Sequence, residues 1–309
     1  MNLYRLILLL LIAQLAGCSG LKIGYRNADT LLAWRAHDYF DFDPLQREDF
    51  NARIKRLLAW HRYEQLPEYS VFLTTLINSI RHELKPEDVV WLVDGFKERY
   101  RIVINRGIND AAEMLATLTP EQIITLQKQW DKDNRKFSRE HELNGTFAER
   151  KRARLKLTLS QIEDWTGSLT YEQEQKITVL LEPLPQINHL RHLDRIRRQK
   201  EFLELLKLRA SKQEFQTVLH AWLLDWERGR SPEYEKLSAT VYEQRVRFYV
   251  AVDRLLTPGQ RQIALHRLQE YADDCKALSA KPAKAAAGPA GGDKLAFFQL
   301  AGFDAGIPE

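Results

Sequence analysis

The sequence predicts an all-α protein, an elongated multi-helix bundle of antiparallel amphipathic helices with short loops, and three observations predict it. Apolar residues keep helical spacing from about Ala28 to Leu278. Val89, Val93, Phe96, Tyr100 and Val103 stand four, three, four and three apart, and Phe215, Leu219, Trp222 and Trp226 repeat the pattern, each the seam of an amphipathic helix. Prolines fall at starts: Pro44, Pro67, Pro86, Pro120, Pro232 and Pro258 each precede a periodic segment, where a missing N–H is harmless. Runs of β-branched alternation closed by Asn-Gly or Asp-Gly turns are absent.

Taken in order, the chain begins with Arg5 and an apolar run from Leu6 to Ala16. That run is too short to cross about 30 Å of hydrocarbon unaided, and the small residues Ala16 and Gly17 at its end suit a signal peptidase. Residues 1–17 are therefore expected to be a secretory signal peptide. Leu15-Ala16-Gly17-Cys18 resembles the bacterial lipoprotein signal, in which the peptide is cut before the Cys and the Cys is acylated. The resemblance implies lipidation at Cys18, with Ser19 in place of Asp implying sorting to the outer membrane, periplasmic side. Residues 18–26 then read as a lipidated tether, 27–279 as the helical domain and 280–309 as a disordered tail.

Within the helical domain, helices are predicted near 28–40, 44–64, 67–84, 86–116, 120–141, 146–165, 171–181, 186–209, 212–228, 232–255 and 258–278. The clearest breaks are Asn144-Gly145 and Glu182-Pro183-Leu184-Pro185. After Ala280 the composition turns to Ala, Gly, Pro and Lys, which offers nothing to bury. The last stretch is more apolar, with Leu295, Phe297, Phe298, Leu300 and Phe303 close together. It reads as a frayed or weakly docked terminus, with a partner-binding peptide as the alternative.

Composition limits the function. The 309 residues are 44% apolar and carry 46 basic against 42 acidic side chains, a formal charge of +4 that falls to +3 when Arg5 leaves with residues 1–17. That balance gives no electrostatic argument for nucleic acid. Two cysteines exist; with Cys18 committed to lipid, Cys275 has no partner, and no intrachain disulfide is expected. Asp273 and Asp274 beside it raise its thiol pKa and argue against a nucleophile. No second apolar stretch reaches transmembrane length, so attachment is expected by lipid alone.

Leu-Thr-x-x-Gln occurs four times: Leu118, Thr119 and Gln122; Leu157, Thr158 and Gln161; Leu169, Thr170 and Gln173; Leu256, Thr257 and Gln260. The physics is that of a helix start, with Thr accepting from an orphan N–H and Gln reaching back to the cap's own N–H. Pro120 and Pro258 at the first helical position secure two of these starts. Leu157 lies inside a run already helical, so Thr158 is also readable as an interior residue. The motif is similar to the signature of the periplasmic Spy and CpxP family, small helical envelope-stress proteins that include an ATP-independent chaperone. That resemblance implies a helical cradle for clients, against plain helix capping. A broader resemblance rests on Tyr25-Arg26-Asn27-Ala28-Asp29, Leu31-Leu32-Ala33-Trp34 and Asp38-Tyr39-Phe40-Asp41-Phe42-Asp43-Pro44. These look like an uncharacterised family of proteobacterial lipoproteins with a domain of unknown function, which implies localisation and helicity and no activity.

Catalytic constellations are thin. His189 and His192, three apart with Asp194 near, have metal-ligand spacing, but Arg191, Arg195, Arg197, Arg198 and Lys200 surround them and repel a cation. Glu140, His141 and Glu142 point in different directions on a helix. Asp38 and Asp41 share a face, yet Asp43 is the natural N-cap for Pro44, with Gln46 completing a capping box, so termination is the better reading. No phosphate loop or Gly-x-Ser-x-Gly elbow occurs, and no cofactor, metal or small-molecule substrate is implied. Arg150, Lys151, Arg152, Arg154 and Lys156 put several cations on a turn and a half, for a solvated face, lipid phosphates or acidic client segments. The tryptophans Trp34, Trp60, Trp91, Trp130, Trp165, Trp222 and Trp226 read as core, and an exposed subset would mark a client surface. The expected function is non-enzymatic protein binding by an outer-membrane lipoprotein, Spy-like in the leading form; the alternative is an adaptor that docks one envelope complex.

Overall fold

The computed structural model describes residues 20–280. The expectations for residues 1–17, for the lipobox positions Leu15, Ala16, Gly17, Cys18 and Ser19, and for the tail 281–309 lie outside the described residues. Those described are mostly helical, with no strand among them. In order they form α1 (Gly20–Arg26), α2 (Ala28–Phe40), α3 (Pro44–Trp60), α4 (Leu66–Ile80), α5 (Pro86–Ala116), α6 (Pro120–Glu140), α7 (Phe147–Thr166), α8 (Tyr171–Leu181), α9 (Asn188–Leu206), α10 (Lys212–Leu224), α11 (Pro232–Leu255) and α12 (Pro258–Ser279). The chain is an all-α multi-helix bundle.

Its core is strung along the molecule as separate clusters. The largest joins Phe42, Ile108, Leu126, Phe202, Leu206 and Phe215 from the α2–α3 link and from α5, α6, α9 and α10. A second joins Ile162, Ile177, Leu181, Leu184, Phe248 and Val252 across α7, α8 and α11. A third packs Tyr25 and Leu66 on Cys275 and Leu278, so that α12 lies along α4 and also receives α1. Asp253, near the end of α11, ties the α4–α5 link to α12. It holds Arg261 through two contacts of 2.7 and 2.9 Å and accepts the Leu84 N–H at 2.9 Å.

Three expectations are corrected. Residues 20–26, read from the sequence as part of a short tether ahead of the first helix, are themselves helix α1: Tyr25 is buried, and Lys22 reaches Asp274 at 2.7 Å. Pro67 does not open a separate helix. The chain runs from α3 into α4 through a π-helical turn at His61–Gln65, where one extra residue per turn accommodates the N–H that proline lacks. The helix expected to 228 stops at Leu224, because Asp225 leaves helical geometry (φ −107°, ψ 65°) and Gly229 takes φ 82° in the turn to α11.

Candidate functional site

The Leu-Thr-x-x-Gln motifs are resolved by where their Gln side chains go. Thr119, Thr170 and Thr257 each cap a helix, accepting from the N–H of the residue three on while that Gln accepts the cap's N–H. Thr158 does not. It lies inside α7, and Gln161 is exposed; α7 is capped instead by Thr146 with Glu149. A helix needs one start, and the residues before Leu157 already supply its carbonyls, so Leu157, Thr158 and Gln161 are an interior repeat of the letters without the structure.

The three capping glutamines, with Gln46 from the Asp43 cap, are buried and meet in pairs. Gln46 and Gln122 exchange amide hydrogen bonds of 3.1 and 2.5 Å, and Gln122 Nε2 also donates to Asp41 O at 3.2 Å. Gln173 and Gln260 do the same at 2.7 and 3.0 Å, with Nε2 donations to Leu255 O and Ser168 O at 2.8 and 2.9 Å. Each clasp locks two helix starts head to head and leaves no amide atom in it unsatisfied. The motif is thus a scaffold joint placed beside the two largest clusters.

A concave surface lies elsewhere among the described residues, at the open end of α7 and α8. It is a groove of about 760 Å³ lined by the start of α7, the end of α8, the turn 182–186 and His189 on α9. Pro183 and Pro185 end α8 because neither supplies an N–H to continue the ladder, and buried Leu184 fastens the turn to the core. Leu143, Phe147, Leu155 and Leu181 give the groove an apolar wall, while Arg150, Lys151 and Arg154 give it a cationic rim against the single carboxylate of Glu182. Three of the five basic residues singled out above therefore belong to this groove; Arg152 and Lys156 are exposed outside its lining.

Arg154 is the distinctive member. Its Nη1 donates to Leu184 O at 2.7 Å, and among the described residues it has no carboxylate partner. Desolvation, reinforced by neighbouring Arg245, pushes its guanidinium down to about 10. A cation held partly dry beside another cation is stabilised by any anion that arrives. Arg150 donates to Gly145 O at 2.6 Å, and Lys151 meets Glu182 at 2.7 Å with both groups about half exposed, a pair worth little. Helix α9 starts at the groove without a side-chain cap, so its positive end adds to the same field. This arrangement can hold a segment that offers an apolar side chain next to a carboxylate.

A second surface is apolar. Phe72 stacks on Trp91 at 4.4 Å and meets Phe96 edge-on at 5.9 Å, with Arg99 over its face at 3.7 Å. Trp91 is 41% and Phe96 54% exposed, and Val71 beside Phe72 in sequence is 63% exposed. The tryptophans as a set are not core: Trp34, Trp91 and Trp165 are exposed and the other four partly so.

The remaining candidates separate. Asp41 terminates α2 in a left-handed conformation (φ 48°) and Asp43 caps α3. His192 lies flat against Phe137 at 5.8 Å, while His189 is exposed on the groove, and no group of three or more metal-ligating side chains forms among the described residues. Cys275 is free and buried, its thiol pushed up to about 11 by burial and then by Asp274. No described helix is long and apolar enough to cross a membrane.

One polar node escaped the sequence reading. Tyr25 Oη lies 2.8 Å from His61 Nδ1, and His61 Nε2 lies 3.2 Å from Tyr69 Oη. Burial lowers the His61 pKa and raises those of both tyrosines. The π-helical turn carries His61, and α1 brings Tyr25 to it. The only local signal was the four-residue spacing of Leu21 and Tyr25.

Among known proteins, the model of a family of unknown function (DUF6279) matches residues 38–235. No curated protein and no solved structure matches the chain. The matched region contains the Gln46–Gln122 clasp and the whole groove, while Gln260 lies beyond it.

Proposed function

Since the chain belongs to the DUF6279 family, whose function is unknown, we propose a role from its own residues: an outer-membrane lipoprotein, acylated at Cys18 and facing the periplasm, that binds proteins without catalysing a reaction. The observation that carries the reading is the pairing of an apolar wall with a cationic rim in the α7–α9 groove. Unfolded segments present both complements, apolar side chains for the wall and carboxylates for the rim. The exposed Trp91 and Phe96 supply a second apolar contact. Leu15-Ala16-Gly17-Cys18-Ser19 supports the location. The Thr-x-x-Gln motifs support a likeness to the Spy and CpxP family in construction, since three of them cap helices whose starts are joined through paired glutamines.

The test is aggregation of a chemically denatured model client without ATP. Suppression near a one-to-one ratio is expected, and unchanged aggregation at several-fold excess overturns the reading. The size of the groove favours a second reading, an adaptor that docks one envelope partner, because about 760 Å³ admits only a few side chains. Cross-linking in intact cells then returns one dominant partner where a chaperone returns many.

A further inference from the structure

The groove asks for an aromatic or aliphatic side chain followed closely by a carboxylate, and the chain itself contains such a stretch. Residues 295–309 hold six large apolar side chains, the carboxylates Asp304 and Glu309, and no cation. We propose that this segment is the groove's own occupant, with Phe303 against Leu143, Phe147 and Leu155 and Asp304 paired with Arg154. The proposal rests on the groove being a peptide-binding surface, and does not require client protection.

Charge complementarity is the first argument. The rim carries three cations against one carboxylate, and Arg154 in particular lacks an anionic partner among the described residues, so an acidic segment supplies what the site is missing. Reach is the second. Trp165 on α7 meets Tyr271 on α12 at 5.9 Å, and helix rise from these contacts puts Arg154 at most about 40 Å from Ala280. The residues from 281 to 303 span up to about 75 Å when extended, and the run 281–294 is mainly Ala, Gly and Pro, the composition of a spacer. Tethering adds an effective concentration of order millimolar, so one aromatic contact and one charged hydrogen bond suffice. A lipid headgroup is the weaker occupant. Helix α1, which follows the lipobox, packs at the Leu278 end of α12, whereas Arg150 lies about 22 Å along α7 from Trp165.

The test places benzoylphenylalanine at position 303 of the full-length protein, irradiates it at micromolar concentration and maps the products by mass spectrometry. Cross-links within one chain to 143–155 or 182–189 are expected, and Asp304→Asn or Arg154→Ala is expected to lower their yield about fivefold. Asp304→Asn changes none of residues 20–280, so the contacts described within the bundle keep all of their side chains. Cross-links elsewhere on the bundle, none at all, or a yield indifferent to Asp304→Asn overturn the proposal. With the probe at Phe147 in intact cells, capture of 295–309 supports it; capture of another protein or a phospholipid in place of that segment contradicts it. Failed cross-linking with client protection intact rejects the occupant and spares the proposed function; the opposite outcome does the reverse.

Discussion

Replacing Gln122 by Leu removes four hydrogen bonds from a side chain that is only 7% exposed. Gln122 Oε1 accepts from Thr119 N–H at 2.9 Å and from Gln46 at 3.1 Å, while its Nε2 serves Asp41 O at 3.2 Å and Gln46 Oε1 at 2.5 Å. Gln46 keeps Thr117 O and the Asp43 N–H as partners, so the groups left bare are chiefly Thr119 N–H and Asp41 C=O. Each such buried group costs about 1–3 kcal/mol, and with the weakened cap the total is about 3–5 kcal/mol. For a chain of this size that is a drop of roughly 10 °C in thermal midpoint, read by circular dichroism. Gln161→Leu is the internal control: the same letters in the motif, an exposed side chain, and an expected change within about 0.5 kcal/mol. If the two variants melt together, or if Gln122→Leu costs under about 1 kcal/mol, the clasp is not a joint that stabilises the bundle. A double-mutant cycle with Gln46→Ala should give a coupling of about 0.5–3 kcal/mol.

Other outcomes follow from the same geometry. In Gly95→Ala the new methyl meets the buried ring of Phe72, so a loss of about 1–3 kcal/mol and a changed Trp91 fluorescence are expected; unaltered stability and spectrum would refute the stacking. Burial lowers the His61 pKa, so the folded state resists charging an imidazole that the unfolded chain protonates near about 6.5. Stability is therefore full above that value and is lost as pH falls through it towards the folded pKa. Urea midpoints should fall between about pH 7.5 and pH 5 and fall less in His61→Gln; equal slopes would count against the node. Cys275, with its thiol at about 11, should resist iodoacetamide at neutral pH in the native protein and react on unfolding, and prompt native labelling would contradict its burial.

What the sequence made legible was what is local. Pro86, Pro120, Pro232 and Pro258 open helices where expected, and Asp43 with Gln46 forms the anticipated capping box. What it hid is tertiary. A capping glutamine announces its own helix, but nothing within five residues tells Gln122 that Gln46 will face it, or Gln173 that Gln260 will. Helix α1 looked like a tether because so short a segment is marginal by itself; it holds because Tyr25 and Leu21 find α12. The π-helical turn arises where Pro67 meets a helix that packing keeps continuous, a conflict that local rules resolve as a break. The cation cluster at 150–156 was visible, but its division into groove-lining and outward residues depended on where the turn 182–186 would fold back.

Metabolic labelling with palmitate, followed by outer-membrane fractionation of cells expressing the wild type and Cys18→Ala, addresses most directly the claim that this bundle works from an envelope membrane. The account predicts a labelled wild-type protein in the outer-membrane fraction and an unlabelled, soluble variant. Recovery of unlabelled wild type from the cytosol with residues 1–17 still attached would contradict it.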